Sequence, residues 1–69
     1  SETEEELDLG ATEQMLASLE PLDREIVVMK AVLECSFDEI SLQLGLALSA
    51  SKMRYYRALD KVKSDLSQQ

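Results

Sequence analysis

The sequence predicts an all-α domain of four helices, the last two forming a helix-turn-helix. Three observations carry this reading. From Met15 onward apolar residues recur at helical spacing. Ser36-Phe37-Asp38-Glu39 is a capping box, with serine at the N-cap and glutamate three residues on. Gly45 stops the helix that this box opens, because glycine tolerates the left-handed conformation that closes a helix, and a short turn then leads into the last helical stretch.

The elements follow in order. Residues 1–10, SETEEELDLG, are acidic, lack aromatics and end in Gly10, so they read as an extended flexible linker ahead of a domain over 11–69. Thr12 can cap a first helix, in which Met15, Leu16 and Leu19 share a face. Pro21 ends it, since the residue before proline is pushed out of the α region, and suits the start of the next helix, where a missing N–H costs nothing. A second helix is expected from about Leu22 to Glu34. Its apolar set of Leu22, Ile26 to Met29 and Ala31 to Leu33 covers most of the circumference and marks a buried centre. The β-branched run Ile26-Val27-Val28 could argue for a strand, but the length and the flanking charges favour helix. The third helix runs to about Leu44, with Phe37, Ile40 and Leu44 on one stripe. Ser49 can cap a fourth helix that continues to about Leu66. Its inward stripe is either Tyr55, Leu59, Val62, Leu66 or Met53, Tyr56, Leu59, Val62, and the sequence leaves open which tyrosine faces the core.

Composition excludes most function classes. Sixty-nine residues suffice for one small domain. The single Cys35 allows neither an internal disulfide nor a cysteine zinc cluster, and it reads as a small buried hydrophobe. No histidine is present, which removes the commonest general base and the commonest metal ligand. Asp38-Glu39 is an adjacent acidic pair that does not converge on a helix, and no nucleophile or glycine-rich phosphate loop accompanies it. The expectation is therefore a non-enzyme with no metal, no cofactor and no small-molecule substrate. The apolar stretch Ile26 to Leu33 is too short to span a bilayer, no signal-peptide pattern opens the chain, and a lone cysteine fits a reducing, cytoplasmic setting. Ser1 in place of Met reads as a processed chain or an excised fragment.

Charge is split along the chain. Residues 1–39 hold twelve acids against Arg24 and Lys30, whereas residues 40–69 hold five bases against two acids, within an overall charge of −7. Such asymmetry suggests a polyanionic or polar partner for the basic half. In a helix-turn-helix the second helix can enter the DNA major groove. The candidate DNA-binding set is therefore Ser49, Ser51, Lys52, Arg54, Tyr55, Arg57 and Lys61. Arginine offers a planar fork to guanine, serine can bond phosphate or base, and the helix N-terminus favours a phosphate. Lys52 and Lys61 are expected near one azimuth. Arg54 is expected to reach base edges and Arg57 the backbone. Against this stand the common use of exposed cations for solubility and the helix dipole, and a net charge that opposes non-specific binding to DNA.

The order of these features resembles region 4 of bacterial sigma factors, the promoter-recognition subunits of RNA polymerase. The likeness covers about residues 16–63: Leu19 and Pro21, Asp23-Arg24-Glu25, Ile26 to Met29, Ser36-Phe37-Asp38-Glu39-Ile40, Leu44-Gly45-Leu46, and then Lys52, Arg54, Arg57 and Ala58 without a gap. The DNA-binding domain of response regulators shares some of these features. The Arg57-Ala58 pair and the lack of a dimerising tail pattern favour the sigma family. The resemblance implies transcription initiation by recognition of the promoter −35 element. It also implies docking on the flap of the polymerase β subunit, and capture by an anti-sigma factor or activator. Leu16, Leu19, Val28, Met29 and Val32 are the candidate partner-binding residues, with membership of the core as the competing role for each. A second functional class also fits, a sigma-like interaction domain with little DNA reading of its own. The chain departs from the family pattern in four places. Glu34 stands where a glycine is usual, Ala47 where a capping serine is usual, Ser51 where a core β-branched residue is usual, and Leu59-Asp60 where basic residues are usual.

Overall fold

A computed structural model describes the backbone of residues 13–67 and the side chains as far as Asp65. Helix α1 occupies residues 13–17 and closes in a turn, where the Ser18 and Leu19 N–H groups donate to the Met15 and Leu16 carbonyls and the Ser18 hydroxyl caps Met15 O at 2.7 Å. Thr12, the expected cap, lies outside the described residues, as do the linker over 1–10 and the side chain of Leu66. Helix α2 spans Pro21–Val27. Proline sits in its first turn as expected, and Glu20 before it is extended at φ −60°, ψ 149°, the region to which proline drives its predecessor.

Beyond Val27 the chain departs from the expected single α-helix. Val28–Val32 is a π-helical turn in which the Leu33 N–H reaches back five residues to Val28 O at 3.0 Å. Widening the turn by one residue re-aims the side chains that follow. Ile26, Val27 and Met29 are buried and Val28 is half-buried, but Ala31, Val32 and Leu33 point to solvent. The element is thus the centre of the core only over its first half. Glu34 then takes the left-handed conformation at φ 58°, and the Cys35 N–H closes the connection onto Met29 O at 2.9 Å.

Helix α3 spans Phe37–Leu44 and opens with the complete capping box. The Glu39 N–H donates to the Ser36 hydroxyl at 3.1 Å and the Ser36 N–H to Glu39 Oε1 at 2.9 Å. The backbone bond from Ser36, and secondly its hydroxyl, hold the exposed Glu39 carboxyl below the usual glutamate range. Gly45 ends the helix at φ 68°, ψ 35°, and the Leu46 N–H bonds Ser41 O at 2.9 Å, which tucks Leu46 back against the core. Helix α4 spans Leu48–Ser67. It starts two residues earlier than a Ser49 cap would allow. The Ser51 N–H bonds Ala47 O at 3.0 Å, so Ala47 holds the cap position and Ser49 lies in the first turn.

Four helices and no strand make up the described residues, as the sequence predicts. Helix α4 packs on both α2 and α3. The core has two parts. Leu19, Val27 and Ala58 join α1 and α2 to the middle of α4, with Leu16 and Val62 against them. Ile26, Met29 and Ile40 join α2 to α3, with Leu22, Phe37, Leu44 and Leu46 packed around them. Tyr55 touches both parts and is the inward tyrosine; Tyr56 is exposed. Ile26 and Ile40 are wholly buried, each contributing about 1.5–3 kcal/mol of transfer free energy. The half-buried Cys35 packs beside them.

Candidate nucleic-acid interface

The orientation of α4 decides which of its side chains can meet a ligand. Tyr55, Ala58 and Val62 turn one face into the core, and two of the expected DNA-binding residues share that face. Ser51 is fully buried and its hydroxyl pairs with that of Ser41 on α3 at 2.8 Å. The two hydroxyls satisfy each other across the α3–α4 contact, and no buried side-chain polar atom among the described residues lacks a partner. Ser51 therefore joins the helix-turn-helix together and is not available to DNA. Tyr55 is likewise a core residue, half-buried with its ring edge-on to Phe37 at 5.4 Å.

Of the cations expected to bind DNA, Arg54 and Lys61 are held from within the chain. Arg54 Nη1 lies 2.9 Å from Asp23 Oδ1 on α2, with the Arg54 side chain 35% exposed and that of Asp23 17%. A charge-assisted bond in this half-buried setting fixes the angle between α2 and α4 and contributes about 1 kcal/mol. Arg54 is thus occupied in positioning the helix rather than aimed at bases. About two turns further on, Lys61 Nζ donates to the Ser18 carbonyl at 3.0 Å, although the residue is otherwise exposed. Nine residues at about 100° each also bring Lys61 half a turn away from Lys52, so the two lysines flank opposite sides of the helix instead of sharing an azimuth.

What the fold leaves outward is a compact face on the first three turns of α4. Ser49, Lys52, Met53, Tyr56 and Arg57 are all exposed. Met53 and Tyr56, absent from the expected set, are 56% and 57% exposed at its middle. Their i, i+3 spacing is visible in the sequence, where it fits a possible core stripe equally well. Arg57 also stands at the rim of an open groove between α4 and the α1–α2 junction, lined by Leu19, Glu20, Asp23, Ala58 and Lys61.

The expected partner-binding residues separate in the same way. Leu19 and Met29 are buried and belong to the core, which corrects their assignment to a docking face. Leu16 and Val28 are half-buried, and Leu16 packs against the first core cluster. Val32 is 62% exposed, beside an equally exposed Leu33 that the expected set omits. Leu42, on the outer side of α3, is more open still.

A four-helix domain in which a helix-turn-helix presents a cation-flanked outer face belongs to the DNA-binding class. A family model described as sigma-70, region 4 matches residues 9–62, and the chain belongs to that family. Comparison with curated proteins and comparison with solved structures each return no match. The family assigns the domain a role in transcription as a sigma-type DNA-binding module, in a family that is not catalytic and works with RNA polymerase and promoter DNA. No helix among the described residues is long and apolar enough to cross a membrane, and no group of three or more acidic or cysteine side chains among them could hold a metal ion.

Proposed function

We propose that the domain recognises the promoter −35 element through α4 while docked on RNA polymerase, with the flap of the β subunit as its docking partner. The observation that supports this most is the exposed face of Ser49, Lys52, Met53, Tyr56 and Arg57, which opens at the helix N-terminus and carries a cation on each flank. Lys52 and Arg57 neutralise phosphates or read guanine, and Ser49 lies in the first turn, where the backbone N–H groups also favour a phosphate. With Arg54 and Lys61 occupied inside the chain and an overall charge of −7, duplex affinity of the domain alone is weak and steeply salt-dependent. Tethering by polymerase supplies the missing effective concentration. The exposed Val32 and Leu33 at the end of the π-helical turn offer the apolar contact for that tether.

The test is promoter binding and transcription by polymerase carrying the chain. Arg57→Ala should weaken binding to all sequences alike and flatten the salt slope by about one unit. Lys52→Ala should lower promoter binding as well. Should both variants bind and transcribe as wild type while Val32→Asp abolishes polymerase association in a folded protein, the domain acts by protein contact alone. That outcome would identify a sigma-like interaction module held by polymerase, an anti-sigma factor or an activator.

A further inference from the structure

We propose that Met53 and Tyr56 make this domain a reader of thymine methyl groups in the major groove. The inference rests on the DNA-reading proposal above and specifies its chemistry. Burial removes Ser51 from the outer face of α4 and the ion pair to Asp23 removes Arg54, so the hydrogen-bonding inventory there is short. Guanine can be met by Lys52 or Arg57. Adenine has no bidentate partner, since α4 contains neither asparagine nor glutamine from Leu48 to Ser67. The centre of the face is instead apolar, with Met53 and Tyr56 one turn apart and each more than half exposed. Apolar side chains at that place in a recognition helix have one base-specific target, the C5 methyl of thymine.

The ring of Tyr56 is also held in place before any ligand arrives. It stands edge-on to Tyr55 at 5.2 Å and tilted against Phe37 at 6.2 Å. Phe37 in turn carries the Lys30 ammonium 4.6 Å from its centroid. This aromatic trio ties the ring to the α3 N-terminus and to the core through Tyr55, so little rotamer freedom remains to be lost on binding. Met53 beside it is flexible and polarisable, suited to closing over a methyl of variable position.

The experiment is selection of random duplexes by the full chain at low salt, followed by replacement of each enriched thymine with uracil, which removes only the C5 methyl. At least one enriched position should be thymine, and uracil there should weaken binding about fourfold, the effect of one buried methyl. Met53→Ala should bind the thymine duplex more weakly and lose its sensitivity to uracil at that position. Tyr56→Phe, which retains the ring and its packing in the aromatic trio, should keep that sensitivity, so that the ring and not the hydroxyl accounts for it. Enrichment that responds to Arg57→Ala yet ignores uracil everywhere would overturn the methyl inference and leave DNA reading intact. Absence of any enriched sequence, both with the chain at low salt and with polymerase carrying it, would overturn both.

Discussion

The two connections that flank α3 solve the same problem with their good residues at opposite ends. Each must end one helix, reverse direction through a left-handed residue and start the next helix. At the first connection the left-handed residue is Glu34, φ 58°, a side chain that pays a steric penalty there, but the helix that follows has a complete capping box. At the second, the left-handed residue is Gly45, φ 68°, which has no such penalty, but α4 follows Ala47, whose side chain cannot accept a hydrogen bond. Neither connection meets every local rule, and both hold. The reason lies in what they carry inward: Cys35 and Phe37 on one side and Leu46 on the other all pack against Ile26, Met29 and Ile40. One favourable helix end and a shared core offset one unfavourable end.

The largest effect expected from breaking this arrangement is at Gly45. A Cβ added there would meet no heavy atom within 4 Å, so the cost is confined to the backbone. Gly45→Val should destabilise the domain by about 2 kcal/mol, because a β-branched residue is least tolerant of positive φ. In thermal unfolding that corresponds to a loss of about 8–16 °C for a domain of this size. Gly45→Ala should cost less, and a valine variant that melts with wild type would refute a left-handed turn at this position. The next effect is a gain. Ala47→Ser supplies the missing hydroxyl acceptor and should stabilise the domain by about 1 kcal/mol, read as a higher urea midpoint at unchanged slope. No gain at Ala47 combined with a loss in Ser49→Ala would mean that α4 begins at the later cap.

The same contrast explains what could be read in the sequence. The capping box, the proline start and the glycine stop are local chemistry, decided within four residues, and each lies where the sequence places it. Glu34 was recognisable only as a departure from a glycine, and its left-handed backbone is the structural counterpart of that departure. The π-helical turn was hidden because Val28 to Val32 has the composition of a continuing α-helix, and only tertiary packing turns Val32 and Leu33 outward. The site was legible in its location, on α4, but not in its membership. Lys52 and Arg57 are exposed as expected, whereas Arg54 was removed by a partner 31 positions away in the sequence and Ser51 by one ten positions away. Long-range pairing of this kind leaves no periodic trace. Tyr55 and Tyr56 differed by one residue and hence by about 100°, too little for an apolar stripe with a serine and an alanine at its centre to decide between them.

The smallest effect isolates the penalty at Glu34 itself. Two contributions act at that position: a left-handed backbone, costing about 1–2 kcal/mol for a residue with a Cβ, and a carboxylate just past a helix C-terminus, where the dipole disfavours negative charge by a few tenths of a kcal/mol. Glu34→Ala removes only the second and should stabilise slightly, with a gain that disappears in high salt. Glu34→Gly removes both, less about 0.5–1 kcal/mol for the greater freedom of glycine in the unfolded chain. Glycine should therefore exceed alanine by about 0.5–1 kcal/mol at any salt concentration, measured as the difference between their urea midpoints. The salt-independent difference belongs to the backbone and the salt-dependent remainder to the charge. An alanine variant more stable than the glycine variant by about 0.5–1 kcal/mol, the cost of glycine's freedom alone, would show that the turn relaxes around a side chain at no cost. The two connections would then differ only in their caps.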